Sequence, residues 1–188
     1  MSVAVPDLRI SAVRAADVTR VIALAREIWY LHYPGIITVA QIDYMLAQRY
    51  GEDLVRAQIG GGDICWDKIE VDDVLAGFVS VEYDSHAGTA KLDKIYVHPR
   101  FQRRGLGSAL LNHVERRSAQ RDCVRVWLQV NKNNAASIAV YRRNGYRIAE
   151  SARFDIGLGF VMDDYILEKS LAAKVSQKKD EGQGVRVE

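Results

Sequence analysis

The stretch "KIYVHPRFQRRGLGSALLNHVERR", Lys94 to Arg117, decides the fold: an alternating run passes into a helix through a turn holding Arg100, Arg103, Arg104, Gly105 and Gly107. Beyond the turn Leu106, Ala109, Leu110, His113 and Val114 recur at the spacing of one helical face, which predicts a helix from about Gly105 to Arg121. A helix start offers unpaired N–H groups and a partial positive charge, and glycines let an anion approach the backbone. The spacing is not that of a P-loop, which needs GxxxxGK followed by Ser or Thr. It is not a dinucleotide fingerprint either, because Leu110 stands where the third glycine of GxGxxG belongs.

Outward from that turn, Ile64 to Val71, Val74 to Tyr83 and Ala90 to Val97 alternate between turn signals and read as an antiparallel meander. Before them stand a short strand, Leu8 to Val13, and a helix after Asp17 with Val21, Leu24, Ala25 and Ile28 on one face. Pro34 and Gly35 break that helix; a second follows from Val39 to Arg49 and a third over Asp53 to Ile59. After the Gly105 helix come the strand "CVRVWLQV", the helix "NAASIAVYRRNG" ended by Gly145, and two strands, "YRIAESARFDI" and "FVMDDYILEKSL". The strands flanking the Gly105 helix are parallel if its crossover is right-handed. The class is α+β: a mixed, mostly antiparallel sheet of six or seven strands flanked by four or five helices, in one domain over 1–171. The polar, aperiodic segment 172–188 reads as a disordered tail.

The 188 residues are 48% hydrophobic and 27% charged, enough for a sizeable core. No run of 18 apolar residues occurs and the N-terminus lacks a signal-peptide core, so the reading is cytoplasmic with no membrane partner. A net charge of +2 is too small to indicate nucleic acid. Cys65 and Cys123 have no metal-ligand spacing and read as structural thiols; no metal is expected. Arg116, Arg117, Arg121 and Arg125, after the helix, read as a solvated face.

"KIYVHPRFQRRGLGSALL" resembles the central motif of the GNAT superfamily of acyl-CoA N-acyltransferases. In that family the QxxGxG turn wraps the pyrophosphate of coenzyme A. The resemblance therefore implies phosphate contacts from Gln102, Arg103, Arg104, Gly105, Leu106, Gly107 and Ser108. It also implies two central strands splayed after Val97 and near Asn131, with the pantetheine arm bonded to the backbone of Ile95, Tyr96 and Val97 and a backbone amide near Ile95 or Tyr96 polarising the thioester carbonyl. "VNKNNAASIAVYRRNGY", Val130 to Tyr146, is similar to the family's later segment, so Asn134 and Tyr141 are implied cofactor contacts. Taken alone, Asn134 is an N-cap and Tyr141 an amphipathic helix residue.

The implied activity is transfer of the acetyl group of acetyl-CoA directly onto a primary amine. Tyr141 is the natural proton donor to sulfur, since a free tyrosine and a thiol have similar pKa values. Asp93 is the first candidate for the base, sharing a strand face with Ile95 and Val97 by period-two alternation, with a relayed water equally open. "EIWYLHYPGI" places Trp29, Tyr30, His32 and Tyr33 where the family walls its acceptor site, and aromatic walls suit an amine cation. "FDIGLGFVMDDYILEK" resembles the bacterial polyamine acetyltransferase group, and Asp155, Asp163 and Asp164 could attract a polycation. The family often forms homodimers. A coenzyme A-binding sensor without turnover and a basic binding module remain as other classes.

Overall fold

The computed structural model describes residues 7–171. The segment 172–188, read above as a tail, lies outside the described residues. The chain runs β1 (Leu8–Ala12), α1 (Val18–His32), α2 (Val39–Arg49), α3 (Glu52–Gly60), then β2 (Ile64–Val71), β3 (Val74–Asp84) and β4 (Thr89–Val97). It continues with α4 (Leu106–Gln120), β5 (Arg125–Asn131), α5 (Ala135–Arg143), β6 (Arg147–Gly157) and β7 (Phe160–Ser170). The seven strands form one sheet in the order β1-β2-β3-β4-β5-β7-β6, in which β4 and β5 are parallel and every other neighbour antiparallel. The α+β class and the parallel central pair agree with the sequence.

Each face of the sheet carries a core. On one, Leu106, Leu110, Leu111 and Val114 of α4 pack against Val79, Leu92, Val126 and Leu128. On the other, α1, α2 and α3 bring Val21, Ile28, Ile42, Leu46 and Val55 onto Trp66 and Phe78. No helix among the described residues is long and apolar enough to cross a membrane.

Three local features shape the region between β4 and β5. The strands pair only through Thr89–Lys91 and Arg125–Trp127. They part there, well before Val97 and Asn131, because β4 stays laddered to β3 as far as Val97 while β5 stays laddered to β7 as far as Asn131.

The second feature is a β-bulge. Ser80 pairs with Lys94 but Val81 with Leu92, which leaves Asp93 as the extra residue. The bulge resets the alternation, so Asp93 does not share the face of Ile95 and Val97. Those two pack with the α4 core, whereas Asp93 meets Arg49 of α2 and Lys94.

The third is Gly77 on β3, where a Cβ would lie 2.4 Å from the Tyr96 carbonyl oxygen. Only glycine lets β3 approach the bent end of β4 so closely.

The far arginines are less free than their sequence suggests. Arg117 binds buried Asp67 at 2.5 Å, Arg125 binds Glu168 at 2.9 Å and Arg121 lies over the Tyr83 ring. Cys65 and Cys123 are free thiols.

Candidate active site

The wedge between β4 and β5 is a cleft of about 180 Å³, walled by α1 and α2 on one side and by the start of α5 on the other. Helix α2 straddles it. At one end Gln41 Nε2 donates to the Val161 carbonyl (3.0 Å) and the Tyr44 hydroxyl to the Ile156 carbonyl (2.5 Å), fastening the helix to the β6–β7 hairpin. At the other end Arg49 donates to Asp93 on β4 at 2.6 Å. The two arms of the wedge are thus held apart at a fixed width.

At the mouth, Gln102 Nε2 donates to the Val97 carbonyl at 3.1 Å and folds the turn back on the end of β4. Arg103 (φ 60°) and Gly105 (φ 80°) take left-handed conformations, and Gly105 N-caps α4 with no side-chain hydrogen bond. The first N–H bonded into the helix is that of Ala109, to the Gly105 carbonyl at 2.9 Å. The amides of Leu106, Gly107 and Ser108 precede it and have no partner within the helix; Leu106 is buried, and Gly107 and Ser108 are half-buried. A Cβ on Gly105 or Gly107 would meet nothing within 4 Å. Glycine at 107 therefore serves no packing need of the protein, and it leaves the helix start open to an anion. Arg103 and Arg104 are exposed beside it.

Within the cleft, alternation assigns the free backbone edge. The His98 amide bonds to the Ala76 carbonyl on β3 at 2.8 Å, so Tyr96, two residues back, gives its backbone groups to the same ladder. Ile95 and Val97 face the opening, and the Val97 carbonyl is taken by Gln102. Of the three backbone contacts expected, Tyr96 is therefore excluded. The Ile95 and Val97 amides remain as donors toward the wedge.

The aromatic cluster is partly as expected. Trp29, His32 and Tyr33 line the cleft. Tyr30 does not; it is exposed and its hydroxyl donates to Asp43 across the α1–α2 corner. The hydroxyls of Tyr33 and Tyr96 share a hydrogen bond at 3.1 Å, and Trp29 lies tilted against both rings. Tyr141, on α5, lines the opposite wall. Burial, with Tyr33 nearby, pushes its hydroxyl well above the ordinary tyrosine value, so it stays protonated at any physiological pH. Asn131 also lines the cleft, on β5.

Asn134 caps α5 by accepting from the Ser137 amide at 3.2 Å, and its Nδ2 donates to His32 Nε2 at 3.1 Å. That bond places the His32 proton on Nδ1 and occupies its one lone pair. Burial lowers the His32 pKa from its ordinary value.

Two carboxylates, Asp93 and Asp164, line the cleft in opposite states. Burial alone would raise Asp93, but Lys94, Arg49 and Lys91 around it hold it down at about 2. Such a carboxylate is a poor proton acceptor near neutral pH. Asp164, on β7, is 0% exposed, and neither of its carboxylate oxygens accepts a hydrogen bond among the described residues. Burial and neighbouring Asp163, outweighing Arg49 and Lys132, lift it to about 6. Arg49 and Lys91 also line the cleft; nothing in the sequence marks Arg49, whose contact with Asp93 spans 44 positions.

An open helix start with two glycines beside a strand wedge is an arrangement able to take an anion next to a partly aromatic cleft. The chain matches the model of the Acetyltransferase (GNAT) family over residues 26–146 and belongs to that family, as an acetyl-CoA-dependent N-acetyltransferase. It is 25% identical over 152 residues to the spermidine N(1)-acetyltransferase of Thermoplasma acidophilum, covering 78% of this chain and 90% of that one. Among solved structures it is similar to the PaiA N-acetyltransferase of T. acidophilum in complex with coenzyme A (TM-score 0.76, 23% identity, 87% of this chain and 99% of that one). It also resembles the ribosomal-protein-S18-alanine N-acetyltransferase of Escherichia coli (TM-score 0.65, 22% identity, 91% and 98%). These two likenesses bear on the fold alone.

Proposed function

We propose that the chain acetylates a primary amine at the β4–β5 wedge and that a polyamine is the acceptor to test first. The similarity to a spermidine acetyltransferase supports the polyamine. One observation carries the site assignment: the α4 start is left open at Gly105 and Gly107, where no side chain of the protein needs the space.

Acetyl-CoA, when bound, supplies an activated acetyl thioester. The amides of Leu106, Gly107 and Ser108 would hold its phosphates, with Arg103 and Arg104 adding charge. The Ile95 amide, on the free edge of β4, would be placed to donate toward the acyl oxygen of the bound thioester. Trp29, Tyr33 and Tyr96 exclude water and give a cation an aromatic wall. Tyr141 would present a proton near the leaving sulfur; burial keeps it protonated but lifts it above the thiol-like pKa of a free tyrosine, making it a weaker acid than the free side chain. Asp93 fixes Arg49 and so the width of the wedge, a positioning role in place of the base first assigned to it.

The test is release of free thiol from acetyl-CoA with spermidine, 1,4-diaminobutane and short peptides bearing a free N-terminus. Amine-dependent release is expected, together with a rise in melting temperature on adding millimolar acetyl-CoA. Stabilisation without release from any acceptor would make the chain a sensor. Neither response would refute the site.

A further inference from the structure

Asp164 contributes nothing to the fold that a neutral residue would not. It is wholly buried on β7, opposite Asn131 of β5 and Ala152 of β6, and its two oxygens accept no hydrogen bond among the described residues. The cations within reach are committed elsewhere. Arg49 is bound to Asp93 at 2.6 Å and Lys132 to Asp163. A buried carboxylate on a cleft wall, left without a cation by cations that pair with other groups, fits a cation that arrives with the substrate.

The other titratable groups of the cleft do not compete for this role. The lone pair of His32 is occupied by Asn134, and Asp93 is surrounded by Lys94, Arg49 and Lys91. Tyr33, Tyr96 and Tyr141 all have raised pKa values and give no base near neutrality.

We infer that the Asp164 carboxylate seats the ammonium group of an unbranched alkyl amine and takes its proton, an assignment that rests on the acetyltransfer reading of the cleft. The small cavity and its aromatic walls suit a slender chain ending in a cation. In the step itself one N–H bond of the ammonium breaks and its electron pair stays on nitrogen. The proton moves to a carboxylate oxygen, leaving a neutral amine and a neutral carboxyl group, and Asp164 later returns it to solvent. Tyr33 at the end of α1, Arg49 from α2, and Asp163 and Lys132 beside it act on Asp164, and His32, Lys91, Asp93, Tyr96 and Tyr141 line the same cleft; Arg49 and Lys132 favour the charged form and Asp163 opposes it. With a pKa of about 6, the group is charged above that pH and ready to bind, and protonated below it.

The experiment has two independent arms on the full chain. In the first, Asp164→Asn is compared with the parent. The expectation is a fall in kcat/KM for 1,4-diaminobutane of about a hundredfold or more, loss of the acid limb near pH 6, and acetyl-CoA affinity unchanged within about threefold. In the second, the Asp164 carboxyl carbon of the parent, assigned through the backbone by NMR, is titrated with and without 1,4-diaminobutane. The amine should lower its midpoint by about one pH unit or more. A variant that keeps kcat/KM within threefold, or a midpoint that ignores the amine, overturns the assignment. If the parent releases no thiol with any amine, the acetyltransfer reading fails by itself, and the NMR arm still decides whether Asp164 binds an ammonium.

Discussion

Replacing Asp164 by Asn is expected to stabilise the protein increasingly as pH rises. In the native state the carboxyl titrates at about 6, against 3.8 for an unperturbed aspartate. Between those values the native protein holds a proton that the unfolded chain has given up, so stability falls as pH climbs through the interval and stays low above it. At about 1.4 kcal/mol per pH unit, the burden reaches about 3 kcal/mol at pH 8 and vanishes below about pH 4. The asparagine variant has no such titration. Its own buried amide adds an offset, but one that does not change with pH. The measurement is unfolding by urea for parent and variant at several pH values from 4 to 8. The stability difference, variant minus parent, should rise by about 2 to 3 kcal/mol across that range, equivalent to a relative shift in melting temperature of about 4–12 °C. A difference that stays flat within about 0.5 kcal/mol would show that Asp164 is not a desolvated carboxylate, and the argument for a substrate cation would lose its ground.

The same substitution at Asp93 should act in the opposite sense. Its native pKa of about 2 lies below the ordinary 3.8, so its contribution is present above about pH 4 and is lost as pH falls toward 2. Asp93→Asn should cost about 2 kcal/mol or more at pH 7, seen in urea unfolding, because Arg49 and Lys94 lose their counter-charge. Gly107→Val should leave the melting temperature of the unliganded protein nearly unchanged, since nothing lies within 4 Å of its Cβ position, yet abolish stabilisation by acetyl-CoA. Gly105, with φ 80°, is the poorer test because a side chain there strains the backbone as well. Tyr141→Phe should keep the melting temperature and acetyl-CoA affinity but lower kcat by about 10² or more; unchanged kcat with chemistry rate-limiting would remove it as the acid.

The secondary structure was legible because its signals are local. The α2 boundaries agree with the sequence reading, and α1 buries the Val21, Leu24, Ala25 and Ile28 face that periodicity selects. The site was legible where the motif is itself local, as at Gly105 and Gly107. It failed where one residue of register mattered. Period-two counting puts Asp93 with Ile95, and the bulge that moves it follows from how Ser80 and Val81 pair on another strand. The partnership of His32 with Asn134 spans 102 positions and has no sequence trace. Asp164 did leave one: counting by twos along "VMDDYIL" sets it on the same face as Met162, which packs into the α1–α3 core. The charge there is readable as a feature attractive to cations, but that its oxygens accept no hydrogen bond among the described residues is a property of the fold alone.

The cleft carries opposite electrostatic preferences at its two ends, and they differ in exposure. The anion end consists of the half-buried start of α4 at Gly107 and Ser108 with exposed Arg103 and Arg104, whereas Asp164 at the cation end is 0% exposed. Salt screens charges in water far more than charges in a protein interior; the Debye length falls from about 10 Å at 0.1 M to about 3 Å at 1 M. Raising ionic strength from about 0.05 to 0.5 M should therefore increase KM for acetyl-CoA severalfold while changing KM for a monoamine by less than about twofold. A monoamine is the right probe because a second ammonium would lie outside the buried pocket and respond to salt on its own account. Steady-state kinetics at fixed pH 8, well above the Asp164 titration, separates the two slopes. Equal salt dependence for both substrates would mean that the amine meets only solvated charge, and that its ammonium does not reach the buried carboxylate on β7.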